Sequence, residues 1–267
     1  MARNGGAWTY AGRWALVTGA SSGLGEVFAR DLAARGMSLV LAARRGERLR
    51  ELAAELRGTY GVEAEAIPAD LGRPGATETL WREAARRREI HLVVNNAGFG
   101  LKGRFDELPL DRQAEMVRLN CVSLMELAHL ALGPMRARRE GGIVNVSSVA
   151  AFQPIPDLAV YAASKAFVLS LSQALAEECR GTGVRVLALC PGPVATGFQE
   201  VAGTQVSGRT PGIRTAEEVV AAALRGLEAG DDTVVPGTLN RLGTLAGRVL
   251  PRGLVVRAAR TVMRKMR

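Results

Sequence analysis

Tyr161 and Lys165 stand four positions apart in the run Tyr161-Ala162-Ala163-Ser164-Lys165. On a helix that spacing puts both side chains on one face and within reach of each other. A free tyrosine titrates near about pH 10, but a neighbouring ammonium favours the phenolate and brings the hydroxyl into a useful range for proton transfer. Alone, such a pair is more often structural than chemical. A second pattern is Thr18-Gly19-Ala20-Ser21-Ser22-Gly23-Leu24-Gly25, with glycines spaced GxxxGxG. Glycines let the backbone turn tightly and approach a pyrophosphate, and a helix opening behind them offers unpaired N–H groups and a positive dipole end. The cysteines (Cys121, Cys179, Cys190) and histidines (His91, His129) lack metal-ligand spacing, so neither a zinc site nor a disulfide framework is expected.

These residues need elements to position them. Seven short apolar runs read as strands: Trp14 to Thr18, Ser38 to Ala43, Ala64 to Pro68, His91 to Asn95, Gly142 to Ser147, Arg185 to Cys190 and Thr233 to Pro236. Several are apolar throughout, as in a parallel sheet covered on both faces, and segments of helical period separate them. Helices are expected at about Leu24 to Arg35, Gly46 to Tyr60, Pro109 to Arg138 and Val160 to Gly181. The fold class is therefore α/β, a single doubly wound Rossmann-type domain whose seven-stranded, mostly parallel sheet carries helices on both faces. Gly192 to Thr215, rich in Gly, Thr and Pro, reads as a long loop. The catalytic domain is placed at 1–240, followed by a basic extension at 241–267.

Further segments fall in order and spacing: Asn95-Asn96-Ala97-Gly98 after the fourth strand, Asn120 in the long fourth helix, Ser148 after the fifth strand, and Pro191-Gly192 after the sixth. With the glycine turn and the Tyr161/Lys165 pair, they resemble the short-chain dehydrogenase/reductase family over about residues 12 to 236. The resemblance implies that Gly19, Ser21, Leu24 and Gly25, with Ser22 and Gly23 between them, line a dinucleotide's pyrophosphate and ribose. It implies that Asp70, with Leu71 beside it, meets the adenine. Asn96, Ala97 and Gly98 would support the sheet at the adenine ribose, and Pro191, Gly192, Val194 and Thr196 would hold the nicotinamide carboxamide. Ser148, thirteen residues before Tyr161, would orient the substrate carbonyl, Tyr161 would donate the proton, and Lys165 would bind the nicotinamide ribose and lower the tyrosine pKa. Ser147 is the neighbour that could be mistaken for Ser148. Asn120 would hold a water of a proton relay.

Cofactor choice follows from charge. The second strand ends Leu41-Ala42-Ala43-Arg44-Arg45, without the acid that holds ribose hydroxyls in NAD enzymes. Two guanidiniums stand there instead and suit a 2′-phosphate, so NADP(H) is expected. The implied reaction is hydride transfer between the nicotinamide and a carbonyl or secondary alcohol. Its expected direction is reduction of a hydrophobic ketone or 3-oxoacyl compound held by Ser148, Tyr161, Phe152 and Phe198. The alternative is a non-catalytic NADP-binding sensor or scaffold of the same fold. The resemblance also implies a homodimer or homotetramer.

The net charge of +9 sits at one end. Residues 241–267 hold eight basic and no acidic residues, and the remainder is nearly neutral. With aromatics at only 4% of the chain, stacking on bases has little to work with, and no nucleic acid is expected. On a helical wheel for 254–267, Arg257, Arg260, Arg264 and Arg267 fall on one side, while Val255, Val256, Ala259, Val262, Met263 and Met266 fall on another. Such a helix either lies on an anionic bilayer or packs its apolar face on protein. No run reads as a membrane span or leader, so the expected location is cytoplasmic, with a possible peripheral contact at the inner face of a membrane.

Overall fold

The structure, a computed structural model, describes residues 8–195, 212–249, and 253, 256, 257 and 259. Seven strands, β1 (Trp14–Thr18), β2 (Ser38–Ala43), β3 (Ala64–Pro68), β4 (Ile90–Asn95), β5 (Gly141–Val146), β6 (Val184–Leu189) and β7 (Thr233–Val234), form one sheet. Their order is β3-β2-β1-β4-β5-β6-β7, and every pairing is parallel. The continuous apolar runs have the physical meaning read from the sequence. Ala15, Val17, Leu39 and Leu41 enter one core layer, while the alternate residues Leu16, Val40 and Ala42 enter the other.

Helices α1 (Gly23–Ala34), α2 (Gly46–Tyr60) and α7 (Ala216–Ala229) cover the first layer through Phe28, Leu32, Leu52 and Leu224. Helices α3 (Ala76–Ala85) and α5 (Leu124–Ala137) cover the second through Leu80, Leu127 and Met135, joined by α6 (Ala159–Glu178) through Leu175 and Ala176. Helix boundaries follow local chemistry. Gly61, at φ +67°, closes α2 in the left-handed conformation that glycine adopts without strain. A reciprocal pair of bonds between Thr215 and Glu218 opens α7.

The helices depart from expectation in four places. The long helix placed over Pro109 to Arg138 is α4 (Leu110–Val117), a π-helical turn (Arg118–Ser123) and then α5. Helix α3 had no counterpart in the sequence reading. Helix α6, one residue earlier at its start than read, has the length and composition of a membrane span, yet three polar contacts fasten it to β5. Asn145 Nδ2 donates to Ser172 Oγ (2.9 Å), Ser147 Oγ to the Lys165 carbonyl (2.8 Å) and Lys165 Nζ to the Val146 carbonyl (2.9 Å). Helix α8 (Thr238–Val249) crosses residue 240. Much of the irregular stretch and of the basic tail lies outside the described residues.

The strand order reverses between β1 and β4. At such a switch point the connections leave in opposite directions and open a crevice beyond the carboxyl ends of the strands.

Candidate active site

A cleft of about 970 Å³ opens at that crevice, running from Arg44 and Arg45 at one end to Leu239 and Thr244 at the other. A groove of similar size beside β7 is lined by Arg180, Asp231 and Arg241 but by none of the motif residues.

The glycine turn forms the cleft's floor. Gly19 (φ +64°) and Gly23 (φ +58°) take left-handed conformations. A Cβ at Gly19 would stand 2.7 Å from Asn96 Nδ2, and one at Gly25 only 2.2 Å from the Gly19 carbonyl. Asn96 Nδ2 donates to the carbonyls of Thr18 (3.0 Å) and Gly19 (3.3 Å), while Thr18 Oγ1 accepts from the amides of Asn96 and Ala97 (3.0 Å each). The turn is thus held open from behind, with Ser22 preceding α1 and making no side-chain cap bond. Backbone donors at a helix N-terminus, with no Cβ in the way, fit a dinucleotide's pyrophosphate.

Arg45 folds over this turn, with Nη2 donating to Ser22 Oγ (2.8 Å) and to Ser21 Oγ (3.0 Å). Arg44 reaches outward, its Nη1 3.7 Å from Glu115 Oε1. Leu24, Ala97, Pro191, Gly192 and Val194 all line the cleft. Asp70 accepts from the Gly72 amide (3.2 Å) and pairs with Arg73 (3.3 Å), a turn geometry, and the cleft wall there is Ala69 and Leu71. Gly98 lies so close to Asn120 that a Cβ would come within 2.8 Å of Asn120 Oδ1. Phe152 lines the cleft, whereas Thr196 and Phe198 lie outside the described residues.

Ser148, Tyr161 and Lys165 come together at the centre. Ser148 precedes a 3₁₀ turn (Val149–Phe152) and its Oγ accepts from the Ala150 amide at 3.1 Å. Ser148 and Tyr161 both line the cleft, the serine hydroxyl near enough to act on the tyrosine, and Lys165 Nζ lies 5.9 Å from the Tyr161 ring centre. Ser147 is excluded from this cluster because its hydroxyl is spent on the Lys165 carbonyl.

Burial sets the electrostatics. It pushes the Tyr161 hydroxyl up to about 12, opposed by the Ser148 hydrogen bond. It brings the Lys165 ammonium down to about 8, opposed by the nearby Cys121 and Cys190 thiols. The lowering of the tyrosine pKa expected from the ammonium is not what the structure shows: burial raises it, and the opposing influence is Ser148. Asn120 sits in the π-helical turn, where Nδ2 donates to the Phe99 carbonyl (3.0 Å) and Ser164 Oγ (3.1 Å), and Oδ1 accepts from the Phe99 amide (3.1 Å). It pins the loop after β4 beside Lys165.

Two residues escaped the sequence reading. Asn240 on α8 donates to the carbonyls of Gly212 (3.0 Å) and Pro236 (2.9 Å) and rests on Gly192, which fastens the C-terminal helix over the cleft. Glu115 on α4 stands between Arg44 and Arg112. Neither belongs to a motif, and only the folded chain brings Asn240 into the cleft wall and Glu115 against Arg44.

The short chain dehydrogenase family matches residues 13–206. The 7beta-hydroxysteroid dehydrogenase of Collinsella aerofaciens is 35% identical over 69% of this chain and 70% of its own. A very-long-chain 3-oxoacyl-CoA reductase from Anas platyrhynchos is 36% identical over 75% of this chain and 65% of its own. A human protein, inactive hydroxysteroid dehydrogenase-like protein 1, is 35% identical over 69% of this chain and 57% of its own. The chain thus spans less than two thirds of several curated relatives that it matches. Among solved structures, a short-chain dehydrogenase from Sphingobium yanoikuyae in complex with NADPH superposes with a TM-score of 0.79 at 36% identity, covering 91% of this chain and 95% of that one. The chain belongs to the short-chain dehydrogenase family of oxidoreductases.

Proposed function

We propose that this chain is an NADP(H)-dependent carbonyl reductase that reduces a hydrophobic ketone or 3-oxoacyl compound to a secondary alcohol. The observation that carries the reading is that Ser148, Tyr161 and buried Lys165 line one cleft that begins at a glycine turn, with the Ser148 hydroxyl near enough to act on the tyrosine. When bound, the cofactor supplies the hydride. Ser148, its Oγ oriented by the Ala150 amide, holds the substrate's carbonyl oxygen. Tyr161, protonated throughout the neutral range, donates the proton to that oxygen. Lys165 is placed to bind the nicotinamide ribose and support the tyrosine, and Asn120 fixes the loop that ends at Phe99 and reaches toward Lys165. Catalysis here rests on position and electrostatics, with no covalent intermediate.

The preference for NADP(H) is supported by Arg44 and Arg45, by the absence of an acid at the end of β2, and by the NADPH-bound neighbour. Away from Ser148 and Tyr161 the substrate end is walled by Phe99, Val149, Phe152, Ile155, Leu158 and Leu239, which favours an apolar ligand. The relatives that act on hydroxysteroids and on a very-long-chain 3-oxoacyl-CoA agree with a bulky apolar substrate. Two sequence-based readings extend this proposal: a cytoplasmic enzyme, and a peripheral contact of 254–267 with an anionic bilayer that liposome flotation would register.

A second reading, a dinucleotide-binding sensor or scaffold, is favoured by the relative named as inactive. The two separate on one substitution. Tyr161→Phe is expected to lower ketone-dependent NADPH oxidation at least a hundredfold, an amount typical of general acid catalysis, with NADPH affinity within about threefold. Wild-type turnover by Tyr161→Phe overturns the mechanism, and a wild-type chain that binds NADPH but turns over no ketone in a broad panel favours the sensor.

A further inference from the structure

Arg44, in the cleft wall, faces a carboxylate outside that wall that the motifs do not account for. Glu115, on α4, faces two guanidiniums. Arg44 Nη1 lies 3.7 Å from Oε1, and Arg112, one turn earlier, pairs with Oε2. Arg112 is itself fixed, its guanidinium lying 4.8 Å over the Phe99 ring. The carboxylate also leans on the turn after β3, since a Cβ on Gly72 would stand 3.6 Å from Glu115 Cγ. Glu115 is therefore anchored from one side by Arg112 and offered to Arg44 from the other. The Arg44 side chain is 63% exposed and that of Glu115 28%, so their pair is loose and costs little to break.

We propose that Glu115 is a specificity-determining residue that holds down the preference for a 2′-phosphorylated dinucleotide. The inference rests on the NADP(H) reading above. A 2′-phosphate that recruits Arg44 must take that guanidinium from Glu115 and must also sit near a carboxylate that Arg112 keeps in place. Both effects weaken phosphate binding, and neither touches a cofactor with a free 2′-hydroxyl. Glu115 thus narrows the gap between NADPH and NADH that Arg44 and Arg45 open.

Calorimetric titration of NADPH and NADH into the full-length wild type, Glu115→Gln, Arg44→Ala and the double variant tests this. Glu115→Gln is expected to tighten NADPH roughly two- to fivefold, the upper range for one screened charge pair near a surface, while NADH stays within about 1.5-fold. The gain is expected to shrink in about 1 M salt, where the Debye length falls to about 3 Å, and to shrink again when Arg44 is also alanine. A helix-stabilising pair with Arg112 would move neither ratio. If wild type prefers NADPH and Glu115→Gln leaves the NADPH/NADH ratio unchanged or lowers it, the inference is overturned and the NADP(H) reading stands. Equal affinities in wild type overturn that reading and this inference with it.

Discussion

Lys165 carries a conflict between stability and chemistry at a single atom. Its ammonium is buried, with the Val146 carbonyl as partner, and burial lowers its pKa from 10.5 to about 8. In the unfolded chain the same group keeps its proton up to about pH 10.4. Between about pH 8 and 10.4 the folded state therefore binds fewer protons, stability rises with pH across that window, and the full cost is present below it. Lys165→Met removes the buried charge. It is expected to stabilise the fold at pH 7 by about 1–3 kcal/mol, as buried charges exchanged for well-packed apolar groups often do, while reductase activity falls at least about a hundredfold. Thermal melts at pH 7 and pH 10 check the sign, because the difference is expected to shrink at the higher pH, and a methionine variant less stable at pH 7 refutes the argument. The wild-type rate of ketone reduction is correspondingly expected to decline above about pH 8 as Lys165 loses its charge. The choice of Ser148 over Ser147 was legible from spacing to Tyr161, and the reason for it becomes visible only where Ser147 turns its hydroxyl to the α6 backbone. Electrostatic direction was not legible, because the sequence shows an ammonium near a phenol and hides the burial that raises the phenol's pKa.

At the scale of elements, one substitution at two glycines is expected to act in opposite directions. Gly25 lies on α1 where the helix passes the turn so closely that a Cβ would come 2.2 Å from the Gly19 carbonyl, whereas Gly58 on α2 has nothing within 4 Å of its notional Cβ. Gly25→Ala is expected to destabilise the fold by about 1–3 kcal/mol, the usual cost of overpacking, and to weaken dinucleotide binding by displacing the turn. Gly58→Ala is expected to stabilise by about 0.5–1 kcal/mol through helix propensity alone. Denaturant titrations of the two variants decide it, and a Gly25→Ala protein as stable as wild type would show that the turn is not held by close approach. Strands β1 and β2 were legible to the residue, since apolar runs in a doubly covered sheet need no tertiary information to stand out, and the bounds of the more polar edge strand β3 also matched. The break at Arg118–Ser123 was not legible. A single extra residue in a helical turn leaves the apolar period nearly unchanged, and its cause is the set of buried partners that Asn120, Cys121 and Ser123 find on other elements. Helix α3 was missed for a related reason, its buried face being only Thr77, Leu80 and Ala84 in an otherwise polar segment.

For the whole molecule, the distribution of exposed apolar side chains points to self-association. Leu110 and Val117 on α4, Met125 on α5 and Phe167 on α6 are 75%, 40%, 42% and 40% exposed. These helices lie together outside β4 and β5, and their opposite faces supply Met116, Leu127 and Lys165 to the interior. Burying this face against a second copy would remove apolar area from water and would clamp α6, the helix of Tyr161 and Lys165, between the sheet and a partner. The chain, 28.3 kDa as a monomer, is therefore expected to sediment as a dimer or tetramer at micromolar concentration. Introducing charges with Met125→Glu and Phe167→Glu together is expected to shift it to monomer, because two desolvated carboxylates facing their copies across a twofold axis oppose association. Activity is expected to fall with assembly as α6 loses its outer support, while the pyrophosphate and adenosine half of the proposed dinucleotide site, at β1, α1 and β2 and away from α6, is expected to retain most of the NADPH affinity. Sedimentation with parallel cofactor titration separates these outcomes, and a wild-type chain that remains a monomer would leave the exposed face of α4 to α6 without a copy to cover it.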